Sequence, residues 1–307
     1  MISICIPSYK NDSLVIRLLD SIRDQTFRDF EVIVTDDSPD NSVELACNQY
    51  IGEFPLSYFK NTIPLGSPAN WNYAISKAKG EWIKMMHHDD WFSKNNSLSL
   101  FNEATSLQTD FIFSAFTEVE GETLRPKVMT SFEKKLLRDS PYNLFKKNFI
   151  GHPSTTLIKN NQTSWYDENI KWVVDFEFYI RYLNGSPHYT YLPDSLINIG
   201  ISDSQITKTV FRKIEIEIPE NVYLLNKIGT IHLRNIFVCD YYWRLCRNMS
   251  IRNVSDLSMH VQTDTVPEAL KKMVHFQSNF HPRLLRIGII SKALMFIFYT
   301  MVKVKPD

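Results

Sequence analysis

The chain is short of several features that would narrow its class at once. Its four cysteines in 307 residues, Cys5, Cys47, Cys239 and Cys246, are scattered and lack metal-ligand spacing. That excludes a disulfide framework and fits buried, idle thiols in a reducing compartment. Glycine is scarce too, at 9 residues, and neither Gly-x-Gly-x-x-Gly nor Gly-x-x-x-x-Gly-Lys-Ser/Thr occurs. Only glycines let the backbone approach phosphates closely enough for a Rossmann dinucleotide site or a P-loop, so both are set aside. Any bound diphosphate must then be neutralised in large part by a cation. Charge of one sign is also missing: 34 Lys and Arg balance 34 Asp and Glu, and no overall field draws the chain to nucleic acid. There is no internal repeat and no low-complexity tract. The amino terminus enters a hydrophobic strand without a basic region or cleavage site, which argues against a secretory signal and for a cytoplasmic protein. No apolar run clearly meets the about 20 residues needed to span a bilayer; residues 284–302 are marginal. What remains is an ordinary globular composition, 44% hydrophobic and 22% charged, long enough for one sizeable core or two modest ones.

The most informative stretch is residues 81–92, Glu-Trp-Ile-Lys-Met-Met-His-His-Asp-Asp-Trp-Phe. It starts as an apolar, strand-like run and ends in adjacent carboxylates. In an open α/β sheet ligands sit beyond the carboxyl ends of the strands, so Asp89 and Asp90 are expected where a ligand can reach them. Two carboxylates without a further acidic cage suit a divalent cation that takes its other oxygens from water and a substrate phosphate. Taken alone, an Asp-Asp pair reads more readily as an acidic turn capping the next element, because Asp is common in turns.

In chain order, residues 2–6 form an apolar run ended by Pro7, with a polar exit loop at residues 8–12. Leu14, Val15, Leu18, Leu19 and Ile22 then recur at helical spacing behind Asp12 or Ser13. A second apolar strand at residues 31–35 ends in Asp36 and Asp37. Continuous rather than alternating apolar strands, joined by a helix, predict a mainly parallel sheet covered on both faces. A helix is expected over residues 68–79, with Ser67 as N-cap, Pro68 at its first position and Gly80 just past its end. Residues 110–116 read as another buried strand, and 118–139 as a charged surface excursion. After about residue 211 the pattern turns helical. Residues 214–218 alternate like a strand before Pro219, and a final helix is expected over 284–302.

Several of these segments resemble, in order, the motifs of family 2 glycosyltransferases with the GT-A fold. They are Ile-Ser-Ile-Cys-Ile-Pro-Ser-Tyr-Lys at 2–10, Gln-Thr-Phe at 25–27, Phe-Glu-Val-Ile-Val-Thr-Asp-Asp at 30–37, Asn-Trp-Asn-Tyr-Ala-Ile-Ser-Lys-Ala-Lys-Gly-Glu at 70–81 and Met-His-His-Asp-Asp-Trp at 86–91. A later motif is matched by Trp-Val-Val-Asp-Phe-Glu-Phe-Tyr-Ile-Arg at 172–181. The resemblance covers roughly residues 1–209. It implies a mixed, mainly parallel α/β sheet flanked by helices. A catalytic domain is expected over 1–210, with a nucleotide-sugar half at about 1–116 and an acceptor half at about 117–210, followed by a helical region at 211–307.

By that resemblance, Pro7, Ser8, Tyr9 and Asp37 hold the nucleobase and ribose of a nucleotide sugar, most often a UDP-sugar, with Asn72, His87 and Asp89 also on the donor. Asp89 and Asp90 are the candidate ligands of a divalent metal, Mn2+ or Mg2+. Where the family often has Asp this chain has His87, so either carboxylate is left as the ligand. His88 reads as a turn residue. Asp175 matches the general base of inverting transfer; without the resemblance it reads as an ordinary acid at a helix N-terminus. An ionised Asp suits the task because the acceptor hydroxyl loses its proton late, as positive charge grows on the sugar. His152 and Glu177 are candidates on the acceptor side, and each reads as readily as a packed or supporting group. The implied partners are a nucleotide-sugar donor and a glycan acceptor, such as a lipid-linked O-antigen or capsule precursor, with no nucleic acid. Basic flanks around the last helix, residues 283–305, fit either a helix packed on the catalytic domain or peripheral contact with the inner face of the cytoplasmic membrane, ahead of an oligomer contact. A non-catalytic nucleotide- or glycan-binding protein on the same fold is the alternative. A sugar nucleotidyltransferase is disfavoured by the missing glycine-rich loop.

Overall fold

The computed structural model describes residues 1–161, 165–186, 188–201 and 212–304. The first strand, β1 (Ile2–Ser8), is buried at all seven positions, as expected of a strand covered on both faces. Helix α1 (Asp12–Arg23) buries Val15, Leu18, Leu19 and Ile22 on one stripe. It leads to β2 (Phe30–Asp36), then α2 (Ser42–Asn48) and β3 (Leu56–Lys60). Helix α3 (Ala69–Ser76) precedes β4 (Trp82–Met85), and the two-residue β5 (Trp91–Phe92) precedes α4 (Ser97–Ala104). Then come β6 (Phe111–Glu120), β7 (Thr123–Lys127), α5 (Ser131–Asp139), β8 (Thr156–Lys159), α6 (Val174–Gly185) and β9 (Tyr189–Gly200).

Among the described residues these strands form one sheet in the order β3-β2-β1-β4-β8-β6-β9-β5, with β7 on β6. β1, β2, β3 and β4 run parallel, β6 and β9 are parallel, and β8 is antiparallel to both β4 and β6. The chain moves outward from β1 to β3, then returns to the other side of β1 with β4. That reversal is the kind of switch point where an open α/β sheet leaves a crevice for ligand. The β1–β4 ladder ends at Cys5↔Met85. Pro7 follows two residues later, so its missing N–H falls where the two strands have parted.

Several expectations are changed or filled in. Helix α3 is shorter than residues 68–79, with Pro68 rather than Ser67 at its N-cap and Lys77 at its C-cap. Gly80 is no helix terminator: its N–H donates to Ser3 Oγ at 2.8 Å, and a Cβ there would sit 2.7 Å from the Ser3 backbone nitrogen. The charged stretch 118–139 is a hairpin followed by α5; Glu118 pairs with Lys127 at 3.1 Å and Glu120 with Arg125 at 2.6 Å across β6 and β7. Residues 214–218 open helix α7 (Ile214–Ile228), which contains Pro219. The last expected helix is two, α11 (Pro282–Arg286) and α12 (Gly288–Val304), because Ile287 is extended at φ −78°, ψ 109°. Between them and α7 lie α8 (Ile236–Asn248), α9 (Val254–Ser258) and α10 (Glu268–Ser278).

The described residues fall into two compact units. One holds Met1–Glu133, Phe149–Phe178 and the chain from Gly185 through β9. The other gathers Lys134–Asn148, Tyr179–Asn184 and the helices from α7 onward. The expected boundary near residue 210 and the flanking Lys305 lie outside the described residues. All four cysteines are buried and free, and burial pushes the Cys47, Cys239 and Cys246 thiols up to about 12, far from a reactive thiolate. Among the described residues no helix is long and apolar enough to cross a membrane.

Candidate functional site

The site is assembled at the carboxyl ends of β1, β2 and β4. At the end of β1, Ser8 is buried and its hydroxyl has no hydrogen-bond partner; beyond it Tyr9 is exposed and Lys10 and Asn11 both take left-handed φ. The Lys10 N–H donates to Ser38 Oγ at 2.6 Å, which ties the exits of β1 and β2 together. Asp36 is buried and accepts from Tyr58 Oη at 2.8 Å and Lys60 Nζ at 2.9 Å. Its neighbour Asp37 accepts from Asn61 Nδ2 at 2.7 Å, Leu65 N at 3.0 Å and Gly66 N at 2.8 Å. Asp36 thus ties β2 to β3, and Asp37 stabilises the loop that follows β3.

After β4 the chain turns sharply, and Asp90 N–H donates to the His87 carbonyl at 3.0 Å. This turn is pinned on both sides: β4 pairs with β1 and β8, and β5 pairs with β9. His87 thus lies in the turn rather than on the strand, with its ring 4.6 Å from Trp71. Ligand atoms of His87, Asp89 and Asp90 all lie within 4.8 Å of one another, whereas His88 stands outside that group. His87 Nε2 is buried without a hydrogen-bond partner. Burial holds the imidazole down at about 4, against the pull of Asp89, so it is neutral and its lone pair is available. A neutral imidazole beside carboxylate oxygens is a donor set that suits Mn2+ and related divalent ions.

Residues passed over in the sequence support this turn. Lys84, fully buried within β4, donates from Nζ to the Ser154 carbonyl. The Ser154 hydroxyl accepts from His87 N at 2.9 Å and also bonds the Asp90 carboxyl. Asp90 is 2% exposed and accepts from Gly200 N at 3.2 Å; burial, then the neighbouring Asp89 charge, pushes its carboxyl well above the usual range. Burial likewise holds the Lys84 ammonium well below its ordinary value. On the other side, Arg17 donates to the Asp89 carbonyl at 2.5 Å and lies 3.7 Å from the Trp91 ring centre. The one signal available in the sequence was a lysine inside an apolar strand, since such a charge needs partners.

Asp175 sits at the start of α6, half-buried, accepting from Phe176 N at 2.8 Å. Burial raises its carboxyl above the ordinary value, opposed by His152. His152 is half-buried too, edge-on to Phe116 at 5.9 Å, and is among the groups that bear electrostatically on His87. One histidine thus lies close enough to affect both the metal-capable turn and Asp175. Glu177 is 2% exposed. Asn72 faces the segment before α6: its side chain donates to the Tyr166 carbonyl and to Glu168 at 2.8 Å each, and accepts from Tyr166 N at 3.1 Å.

Comparison with known proteins agrees with this architecture. The glycosyl transferase family 2 model matches residues 3–162, just over half the chain. The putative colanic acid biosynthesis glycosyl transferase WcaA of Escherichia coli K12 is 26% identical over 219 residues, 68% of this chain and 76% of that protein. Among solved structures, S. aureus TarS 1–349 in complex with UDP-GlcNAc has a TM-score of 0.63 at 17% identity, covering 99% of this chain and 90% of that one. Mannosyltransferase PcManGT from Pyrobaculum calidifontis, in complex with GDP-Man and Mn2+, has a TM-score of 0.58 at 14% identity, covering 99% and 86%. At such identities these likenesses speak for the fold, which is of the GT-A type. From the matched motifs and that fold together, the chain belongs to glycosyl transferase family 2 and is a glycosyltransferase.

Proposed function

We propose that the chain moves a sugar from a nucleotide-sugar donor, a UDP-sugar first among candidates, to a hydroxyl of a glycan acceptor with inversion at the anomeric carbon. The observation that carries this reading is the cluster of His87, Asp89 and Asp90 after β4, whose ligand atoms lie within 4.8 Å of one another. Asp175 is read as the base of the same site because His152 bears electrostatically on both His87 and Asp175. Pro7, Ser8, Tyr9 and Asp37 line the nucleoside end. The buried, unpartnered Ser8 hydroxyl is suited to a hydrogen bond with ligand. Asn72 acts by fixing the Tyr166–Glu168 segment.

Asp175 accepts the proton of the acceptor hydroxyl as its oxygen bonds to the anomeric carbon and the bond to the diphosphate breaks. Burial raises this carboxyl above the ordinary value, with His152 opposing in part, which makes the carboxylate a stronger base than a solvated one. A divalent ion, Mn2+ or Mg2+, held by His87 and Asp89 with Asp90 bracing the turn, would supply positive charge to the leaving diphosphate. Glu177, buried one turn into α6, supports the position of Asp175. The colanic acid relative favours an acceptor in bacterial surface polysaccharide assembly, such as a lipid-linked O-antigen, lipopolysaccharide or capsule unit, met by peripheral attachment of residues 283–305 to the cytoplasmic membrane.

The test is calorimetric titration with UDP, GDP, dTDP and CMP, with and without Mn2+ or Mg2+, followed by turnover of the matching sugar nucleotides. Metal-dependent UDP binding and UDP release with acceptor are expected. Nucleotide binding without turnover under any acceptor would favour a binding protein on the same fold.

A further inference from the structure

The second compact unit has a cavity of about 190 Å³ lined by Arg212, Arg247, Asn248, Ser250 and Arg286. Three arginines gather at this open pocket, Arg247 partly buried and Arg212 and Arg286 exposed, although like charges so placed repel. Partial desolvation is visible at Arg247, where burial, and then Arg244, hold the guanidinium below its ordinary value against the opposing charge of Asp240. Its hydrogen bonds go to neutral acceptors, Asn248 Oδ1 at 3.0 and 3.1 Å and Ser291 Oγ at 3.1 Å. Arg286 closes α11 and is exposed. Among the described residues, neither Arg247 nor Arg286 forms a salt bridge with a carboxylate. Arg212 is different, since Glu217 lies near it and accepts from its backbone N–H at 2.6 Å.

We infer that this pocket binds a phosphate or diphosphate group. The volume is well below the roughly 300 Å³ at which pockets for drug-sized ligands begin, so it suits a small anion or headgroup rather than a whole sugar nucleotide. Guanidinium forks match phosphate oxygens in pairs, and Asn248 and Ser250 add neutral donors. The phosphate can come from solution or from a lipid headgroup. The second source is compatible with the apolar side chains exposed beside Arg286 and along α12, among them Ile287, Ile289, Phe296, Ile297 and Met301. Positive charge beside such a face is the pattern of an interfacial helix.

The full chain would be titrated with inorganic phosphate and with pyrophosphate, and sedimented with phosphatidylglycerol vesicles and, as a neutral control, phosphatidylcholine vesicles. Binding in either anionic arm, weakened about tenfold or more by Arg286→Gln, is the expected result, being the loss of one charge-assisted contact. The vesicle arm then tells whether the phosphate is carried on lipid. Arg286 is exposed and its replacement spares the fold; Arg247→Lys is the second variant, keeping charge while losing the fork. No binding in any arm, or binding unchanged in both variants, overturns the inference. It does not rest on glycosyl transfer, so a failed turnover assay leaves it standing.

Discussion

His87 donates its backbone N–H to the Ser154 hydroxyl at 2.9 Å, across 67 residues of sequence. Through the same serine, the buried Lys84 and Asp90 are joined to the turn that carries Asp89. Replacing Ser154 with Ala would leave His87 N and one Asp90 oxygen short of a partner, at a cost of about 1–3 kcal/mol. Urea unfolding measures this, and a change below about 0.5 kcal/mol would remove Ser154 from the role. A second arm is a double-mutant cycle between Lys84→Met and Asp90→Asn. Coupling is expected because each charge compensates the other in a buried setting; strict additivity would mean that the two do not interact.

His87→Ala and Asp89→Ala should each weaken Mn2+ binding by about tenfold or more, since each removes one donor atom from the cluster. His88→Ala should change it little, because His88 lies outside the group. Calorimetric Mn2+ titration of the three variants separates these outcomes. Equal losses in all three would point to a general disturbance of the turn.

Asp175→Asn should abolish turnover while leaving UDP binding nearly intact. The pH profile carries a sign. Burial raises the Asp175 carboxyl, so kcat/KM should fall as pH drops through that raised value, and the acid limb should lie above the about 3.9 of an ordinary Asp. The folded chain holds this proton more tightly than the unfolded one, so the ionised group opposes folding at neutral pH. Asp175→Asn should consequently show an unchanged or higher Tm at pH 7. Turnover near that of the wild type would remove Asp175 as the base.

Gly200 lies where β9 passes the Asp89 turn. A Cβ there would collide with the Asp89 carbonyl and stand 3.1 Å from an Arg17 guanidinium nitrogen. Gly200→Ala should cost about 1–3 kcal/mol, the range for overpacking a tight contact. It should also raise the KM for donor by shifting Asp89. A variant with normal stability and normal KM would mean that the neighbours yield freely.

The apolar runs of β1, β2 and β4, and the polar residues that end them, were readable from the order of amino acids. Burial on both faces demands such runs, and ligand-facing groups must follow them. The two carboxylates after β4 were equally plain. That they sit with His87 was not, because the turn that swings the ring toward them depends on β5 pairing with β9. The charged segment 118–139 is the surface excursion expected, but its hairpin was not legible, because its charges answer one another across β6 and β7 and such pairs have no local period. The break between α11 and α12 was hidden by an apolar pattern that runs through it unchanged.

The sequence by itself determined the family's sheet, its exit loops and the acid residues at their ends, because local periodicity and residue type decide those. Only the tertiary structure decided what lies beside them. Lys84 and Ser154 are 70 residues apart, Asp89 and Gly200 more than 100, and the three arginines of the C-terminal pocket belong to separate segments. Buried charges and close backbone approaches are fixed by packing between distant segments, and no pattern along the chain encodes them.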